Sequence, residues 1–238
     1  MFEVGSLLFV ERSIIGGITN MQSTISSGLT QQVWGSQCWH SIKNSELNTS
    51  DYELTERNKA KIDECLKERQ EAMDARYGEE GYNARIGNIN QQSAKIGELV
   101  ADDFVRNIRP NAKLIHPKDL ATSGSKPGDF DMVYLSDDPE EIIIVEAKGG
   151  SSPLGSRKIG NMAYQQGTTE YATEIVSLMD SKKYGTTEKA AANSINSAIQ
   201  DGIPIRYVHT QAEISSSGKG SKFIAKEFDI DIGEFRNG

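Results

Sequence analysis

The chain has 238 residues, of which 37% are apolar and 25% charged, and its formal net charge is −8 at pH 7. This composition is typical of a globular protein that can bury a core, and the negative charge argues against indiscriminate coating of nucleic acid. The net charge does not exclude a local basic cleft, and it is compatible with a basic protein partner. Cys38 and Cys65 are too few for a disulfide framework, and the three histidines share no zinc-site spacing with them.

The first 50 residues are rich in Ser, Thr, Asn, Gln and Gly and show no sustained hydrophobic period. They predict an irregular or weakly helical arm, such as the end of a linker from a larger parent protein. The apolar run at residues 7–18 is interrupted by Glu11 and Arg12. Because it is shorter than the ~20 residues that a spanning helix needs, we expect no membrane span.

Two amphipathic helices are expected next. Residues 51–76 carry dense mixed charge and one thin apolar stripe, and residues 89–108 form a stronger stripe that Pro110 ends. The glycine-rich stretch between them predicts a loop and a boundary, which divides the chain into an N-terminal region, 1–88, and a domain, 89–238. Glu98 lies at the margin of the second stripe, where a glutamate is ordinarily solvated.

Two β-type runs, residues 130–135 and 142–148, flank a six-residue turn rich in Asp, Pro and Glu. They predict an antiparallel hairpin. The second run starts with four aliphatic residues and then places Glu146 and Lys148 on one face. Asp131 on the first run can lie opposite them. A buried carboxylate and ammonium are costly unless they are paired or bound.

Two carboxylates and a lysine within a few ångströms predict a metal site with a cationic neighbour. Carboxylate oxygens suit a hard divalent cation, Mg²⁺ or Mn²⁺, with Zn²⁺ as an alternative. Such an ion can activate water and stabilise the charge that develops on a phosphate. The ordinary alternative for Glu146 and Lys148 is a salt bridge at the end of a strand.

The remaining elements complete a mixed α/β pattern. A short strand is expected at 114–116, helices at 161–179 and 190–200, and strands at 203–210 and 222–230. This order favours a three-layer α/β sandwich with a small mixed β-sheet flanked by helices.

Asp131, the run Glu146-Ala147-Lys148 and the run Gln166-Gly167-Thr168 together resemble a known signature. They are similar to the catalytic motif of the PD-(D/E)xK, or restriction-endonuclease-like, nuclease superfamily. Within that superfamily, the form is similar to nuclease domains at the C-termini of bacterial polymorphic and contact-dependent inhibition toxins. The resemblance covers residues 98–175, about a third of the chain.

The resemblance implies a restriction-endonuclease-like fold and a role for each matching residue. It implies that Asp131 and Glu146 bind the metal ion, with Glu98 as a further carboxylate of the metal shell. It implies that Lys148 is the catalytic lysine. It also implies that Gln166 supports the site and contacts backbone phosphate.

The sequence departs from the family pattern at three positions. Phe130 precedes Asp131 where the family has proline, and Asp129 is a competing candidate for the first carboxylate. Tyr171, the expected partner of Gln166 in the helix motif, is one residue further away than in the commoner form.

The function that these features predict is a metal-dependent endonuclease toxin that hydrolyses DNA in the cytoplasm of target bacteria. Transfer RNA is the alternative substrate, and an inactive binding module or a repair or restriction enzyme of the cell itself are alternative functions. The resemblance implies a parent toxin that delivers the domain and a cognate immunity protein. The basic segments 118–126, 157–158 and 182–183 are candidates for contacts to the nucleic-acid backbone.

Overall fold

A computed structural model describes residues 44–49, 52, 54–75, 81–120, 126–214 and 220–230. Most of the irregular arm predicted for residues 1–50 lies outside the described residues, as do Cys38 and His40. The described end of that region is a short strand, β1 (Asn44–Glu46), which pairs with the last strand of the sheet.

The described residues contain eight strands and four helices. In chain order they are β1, α1 (Glu56–Ala75), α2 (Tyr82–Ile108), β2 (Lys113–His116), β3 (Met132–Asp137), β4 (Glu140–Gly149), β5 (Ser156–Ile159), β6 (Met162–Gln165), α3 (Thr169–Asp180), α4 (Thr187–Asp201), β7 (Ile205–Ile214) and β8 (Gly220–Phe228).

Six strands form one mixed sheet in the order β1-β8-β7-β4-β3-β2. The β4–β7 pair is parallel and the other pairs are antiparallel. Helix α2 packs on one face of β4 and β7, with α1 beside it, and α3 and α4 cover the other face. The prediction of an α/β sandwich with a mixed sheet between helices is therefore confirmed.

Strand β4 is buried on both faces, as its aliphatic run predicts. Ile142 and Ile144 pack under α3 and α4, while Ile143 and Val145 pack under α2. Each such side chain contributes about 1.5–3 kcal/mol when it leaves water. The antiparallel pairing of β3 with β4 is also confirmed, with Val133 opposite Ile144. This packed pair of strands holds the polar residues at its end, Asp131, Glu146 and Lys148, in fixed positions.

Helix α2 crosses β4 so closely that two glycines are needed. A Cβ on Gly97 would lie 2.6 Å from the carbonyl carbon of Lys148, and one on Gly149 would lie 1.7 Å from the carbonyl oxygen of Ser93. Backbone therefore contacts backbone at the end of β4. This crossing fixes the position of the residues that precede Gly149.

Helix α2 begins earlier than the sequence indicated. The predicted loop ends at Gly81, whose φ of 80° favours glycine, and residues 82–88 are helical. The predicted boundary at residue 88 thus falls inside α2. Helix α1 packs along α2, and the backbone N–H of Thr55 donates to Oδ2 of Asp103 at 2.9 Å, which ties the two helices together.

The helix predicted over residues 161–179 is wrong in its first half. Gly160 has a φ of 59°, and with Asn161 it forms a two-residue turn between β5 and β6. Helix α3 starts only at Thr169, after Thr168 accepts a hydrogen bond from the N–H of Tyr171 at 3.3 Å. The turn chemistry of Gly-Asn outweighed the helical pattern that follows it.

The other predicted elements lie close to their expected positions. Strand β2 matches the prediction for 114–116, α4 contains the predicted helix 190–200, and β7 and β8 overlap the two predicted C-terminal strands. Among the described residues, no helix combines the length and the apolar character that crossing a membrane requires.

Candidate active site

Asp131 and Glu146 meet at the end of the β3–β4 pair. Met132 is opposite Val145, so Asp131, the residue before β3, stands beside Glu146. Both are buried, and Glu146 has no exposed surface. Lys148 lies one pleat further along, with its Nζ 3.4 Å from Oδ2 of Asp131 and 4.0 Å from Oε2 of Glu146. The structure therefore brings these three predicted site residues together.

Glu146 is oriented by two side chains from outside the hairpin. The hydroxyl of Tyr207 donates to its Oε1 at 2.8 Å, and Nε2 of Gln166 donates to its Oε2 at 2.5 Å. Each carboxylate oxygen has a second lone pair, so these bonds leave acceptor capacity on both oxygens. The glutamate is thus held in one orientation while it can still bind a further partner.

Gln166 reaches the site from the turn before α3 and not from the helix itself. Its side-chain oxygen accepts a hydrogen bond from the backbone N–H of Gly155 at 2.6 Å, and its backbone N–H donates to the carbonyl oxygen of Gly155 at 2.9 Å. This fixes which end of the amide faces Glu146. Gln166 is therefore a positioning residue for Glu146 in this structure.

Asp131 is anchored by the neighbouring strand. The N–H of Ala147 donates to its Oδ2 at 2.9 Å, in addition to the Lys148 contact. The alternative carboxylate, Asp129, lies elsewhere: its Oδ1 is 4.0 Å from Nζ of Lys182 and its charge acts on His116. Of the two candidates, Asp131 is the one that faces Glu146.

The site is electrostatically unfavourable for two ionised carboxylates. Burial raises the pKa of Glu146 well above its usual range, and the adjacent negative charge of Asp131 raises it further. Lys148 and the Tyr207 hydrogen bond oppose this rise in the pKa of Glu146 only in part. A proton or a cation between the two carboxylates would relieve the repulsion.

The donor set fits a hard divalent ion. Mg²⁺ commonly uses one or two carboxylates and keeps several waters, so the pair Asp131 and Glu146 is sufficient. Among the described residues, no group of three His, Cys, Asp or Glu side chains is close enough to hold an ion together. Asp131 and Glu146 could therefore supply a pair of oxygen ligands, a donor set that suits Mg²⁺ or Mn²⁺ better than Zn²⁺.

Glu98 does not complete a three-carboxylate group. It is 4% exposed, so it is buried and not solvated at the stripe margin. It lies on α2 next to Gly97, where the helix crosses β4, whereas α2 covers the opposite face of the sheet from α3. The structure brings Glu98 to the end of β4 but does not join it with Asp131 and Glu146 into a metal-binding group.

Strand β7 supplies two site residues that sequence reasoning missed. Tyr207 holds Glu146, and His209 is directly opposite Glu146 in the parallel register. The His209 ring stacks on Phe228 with 6.0 Å between centroids, and its Nε2 has no hydrogen-bond partner among the described residues. Burial, followed by the positive charge of Lys148, lowers the pKa of His209 to about 4. Its imidazole is therefore neutral at pH 7.

Tyr171 lines the same region from α3. It is buried, and burial together with the charge of Glu146 raises the pKa of its hydroxyl. Of the predicted basic contacts, Nε of Arg157 is 3.6 Å from Glu174, and Lys126 and Lys158 are exposed. Residues 121–125 of the predicted basic loop lie outside the described residues.

Comparisons with known proteins gave no relative. No protein-family model, no curated protein and no solved structure matches the chain.

Proposed function

We propose that this chain is a metal-dependent nuclease that hydrolyses phosphodiester bonds, with DNA as its substrate. The observation that carries the proposal is the buried Asp131–Glu146 pair with the Lys148 ammonium 3.4 Å from Asp131. A salt bridge needs one carboxylate, and the second one here costs free energy unless it has a ligand to hold. Two buried carboxylates beside one ammonium leave one negative charge that a proton or a cation must balance, and this supports a bound cation.

Asp131 and Glu146 would hold the ion through their free lone pairs. When bound, it would supply electrostatic stabilisation of the charge that develops on the phosphate. Lys148 is 15% exposed at its side chain, so its ammonium can contact a phosphate oxygen or orient the attacking water while it remains beside Asp131. Tyr207 and Gln166 keep Glu146 from rotating out of the site.

The proposal extends to a restriction-endonuclease-like arrangement of the sandwich and to a toxic role. The mixed sheet, with helices on both faces and the acidic pair at the end of a hairpin, supports the part of this extension that concerns the fold. A toxin of this kind would be delivered by a larger polypeptide into a target cell and neutralised by an immunity protein. Expression in a susceptible bacterium should therefore stop growth.

Cleavage by the purified chain tests the enzymatic proposal. Supercoiled plasmid and total transfer RNA are incubated separately with protein in Mg²⁺, in Mn²⁺ and in chelator. We expect plasmid nicking that needs the metal and that Asp131→Asn lowers by more than about 100-fold. Asp137→Asn is the matched control, because Asp137 is exposed at the other end of β3. If only transfer RNA is cleaved, the proposed substrate becomes transfer RNA instead of DNA. If neither nucleic acid is cleaved, the proposal is overturned.

A further inference from the structure

A concave site lies on the other side of the sheet from α3. It is a cavity of about 520 Å³ between α1, the C-terminal half of α2, the turn at residues 110–112, β2 and the loop at 118–120. This volume falls in the range of ligand-binding clefts. The candidate active site uses none of the residues that line it.

The cavity is positively charged although the chain as a whole is negative. Five basic and two acidic side chains line it. The basic ones are Arg57, Lys61, Arg106, Lys113 and Lys118. A concave surface with charge of one sign concentrates its field and attracts ions of the opposite sign.

The principal acidic group of the cavity is already committed. Asp102 accepts from the hydroxyl of Tyr134 at 2.8 Å and from Nδ2 of Asn58 at 3.0 Å. It also pairs with Nε of Arg106 at 2.8 Å and faces Arg57 at 4.0 Å. One carboxylate therefore serves two arginines and cannot neutralise the lysines.

Three exposed lysines remain against one further acidic residue, Asp119, so the lining keeps a net positive charge. Within the described part of the chain, Lys61, Lys113 and Lys118 form no ion pair, whereas Lys59 and Lys67 on the same helix as Lys61 pair with glutamates. None of the described residues that line the cavity is aromatic. Bases would find no ring on which to stack, so the surface suits phosphates of a backbone better than bases.

The cavity reaches the same end of the sheet as the acidic pair. His116 on β2 is opposite Val133 on β3, two residues beyond Asp131. Lys118 follows shortly after this end of β2. Because β2 is an edge strand, a nucleic acid that bound both the acidic pair and the cavity would have to pass around this edge of the sheet.

We infer that this cavity binds backbone phosphates of the nucleic-acid substrate through Lys61, Lys113 and Lys118. The inference rests on the proposed nuclease function for the identity of its ligand. Each lysine acts as a point charge on a phosphate, so the contact is independent of base sequence and weakens with salt.

Binding without cleavage tests the inference separately from the enzymatic proposal. A fluorescein-labelled 30-base-pair duplex is titrated with the full chain in chelator at several NaCl concentrations, and binding is followed by anisotropy. The test variant is the double substitution Lys61→Gln with Lys113→Gln. The matched control is Lys59→Gln with Lys67→Gln, which removes the same charge from α1 outside the cavity.

We expect the cavity variant to bind at least about tenfold more weakly and its log–log salt slope to fall by about two, since each phosphate contact contributes ~0.9. The control should differ from the wild type by much less. Equal losses in both variants, or no binding by the wild type, would overturn the inference. AMP binding, measured by calorimetry, gives a further test. If AMP binds saturably to the wild type and not to the cavity variant, while both bind the duplex equally, the cavity holds free nucleotides and the inference is overturned.

Discussion

Tyr207 donates a hydrogen bond to Oε1 of Glu146, with 2.8 Å between the two oxygens, from the strand that runs parallel to β4. The bond joins two residues 61 positions apart, both fully buried. It lowers the pKa of Glu146, against the larger rise caused by burial. The basicity and orientation of the proposed metal ligand therefore depend on a residue outside the central hairpin.

Tyr207→Phe should reduce nuclease activity by about 10–100-fold, as is usual when a partner of a metal ligand is lost. The ring keeps its edge contacts with Phe130 and Phe228, so the fold should persist, with a loss of about 1–3 kcal/mol in unfolding free energy. Activity assays and thermal melts measure the two effects. Tyr184→Phe is the control, because Tyr184 is 89% exposed. Wild-type activity in Tyr207→Phe would contradict the role assigned to this bond.

Metal binding should release a proton and strengthen as pH rises. The pKa of Glu146 is raised, so at any pH below that pKa the metal-free pair holds a proton that a divalent ion must displace. If one proton is released, Mn²⁺ affinity should increase about tenfold per pH unit below the raised pKa. Calorimetry in two buffers with different ionisation enthalpies counts the protons. A Mn²⁺ affinity that is independent of pH throughout pH 5 to pH 8, with no proton released, would contradict a raised pKa of Glu146.

Gly97→Ala should destabilise the protein and displace the site, because the added Cβ would lie 2.6 Å from the backbone of Lys148. We expect a loss of about 1–3 kcal/mol in unfolding free energy and reduced cleavage. Gly87→Ala lies in the same helix with nothing within 4 Å of its Cβ, so it should gain about 0.5–1 kcal/mol. Urea denaturation of both variants gives the comparison. Similar stability of the two would show that the close crossing is not required.

The pH dependence of stability should depend on His209. Its pKa is lowered from 6.5 to about 4 by burial, so the unfolded chain binds a proton at a higher pH than the folded protein does. This contribution to stability is complete above pH 6.5 and is lost as pH falls towards 4. His209→Phe retains a ring against Phe228 but cannot titrate. In chelator, the urea midpoint should decrease less between pH 7 and pH 5 for the variant than for the wild type. Equal decreases would contradict the assignment.

The central hairpin could be predicted because its information is local. Aliphatic residues 142–145 require burial on both faces, the polar turn closes the hairpin, and period-two spacing puts Glu146 and Lys148 on one face. The position of Asp131 beside Glu146 could be predicted from the same antiparallel pairing. The positions of strands β2, β7 and β8 in the sequence were also predicted approximately. Their pairing partners in the sheet were not predicted.

Contacts between distant segments could not be predicted from the sequence. Tyr207 and His209 reach Glu146 only because β7 pairs in parallel with β4, and nothing within either strand specifies that partner. Gln166 was identified from its motif, yet the predicted helix around it is a hairpin and a turn. The Gly160-Asn161 pair is typical of a two-residue hairpin turn. It was overlooked because the helical pattern of the residues that follow was extended back over it.

The position of a bound Mn²⁺ ion is the sharpest test of a metal site formed by Asp131 and Glu146. Crystals of the wild-type chain grown with Mn²⁺ would be measured at a wavelength where manganese scatters anomalously. We expect one strong peak between the carboxylates of Asp131 and Glu146, about 2.0–2.3 Å from an oxygen of each, and no peak there in Glu146→Gln. A peak held by other residues, or none at a saturating Mn²⁺ concentration, would contradict it.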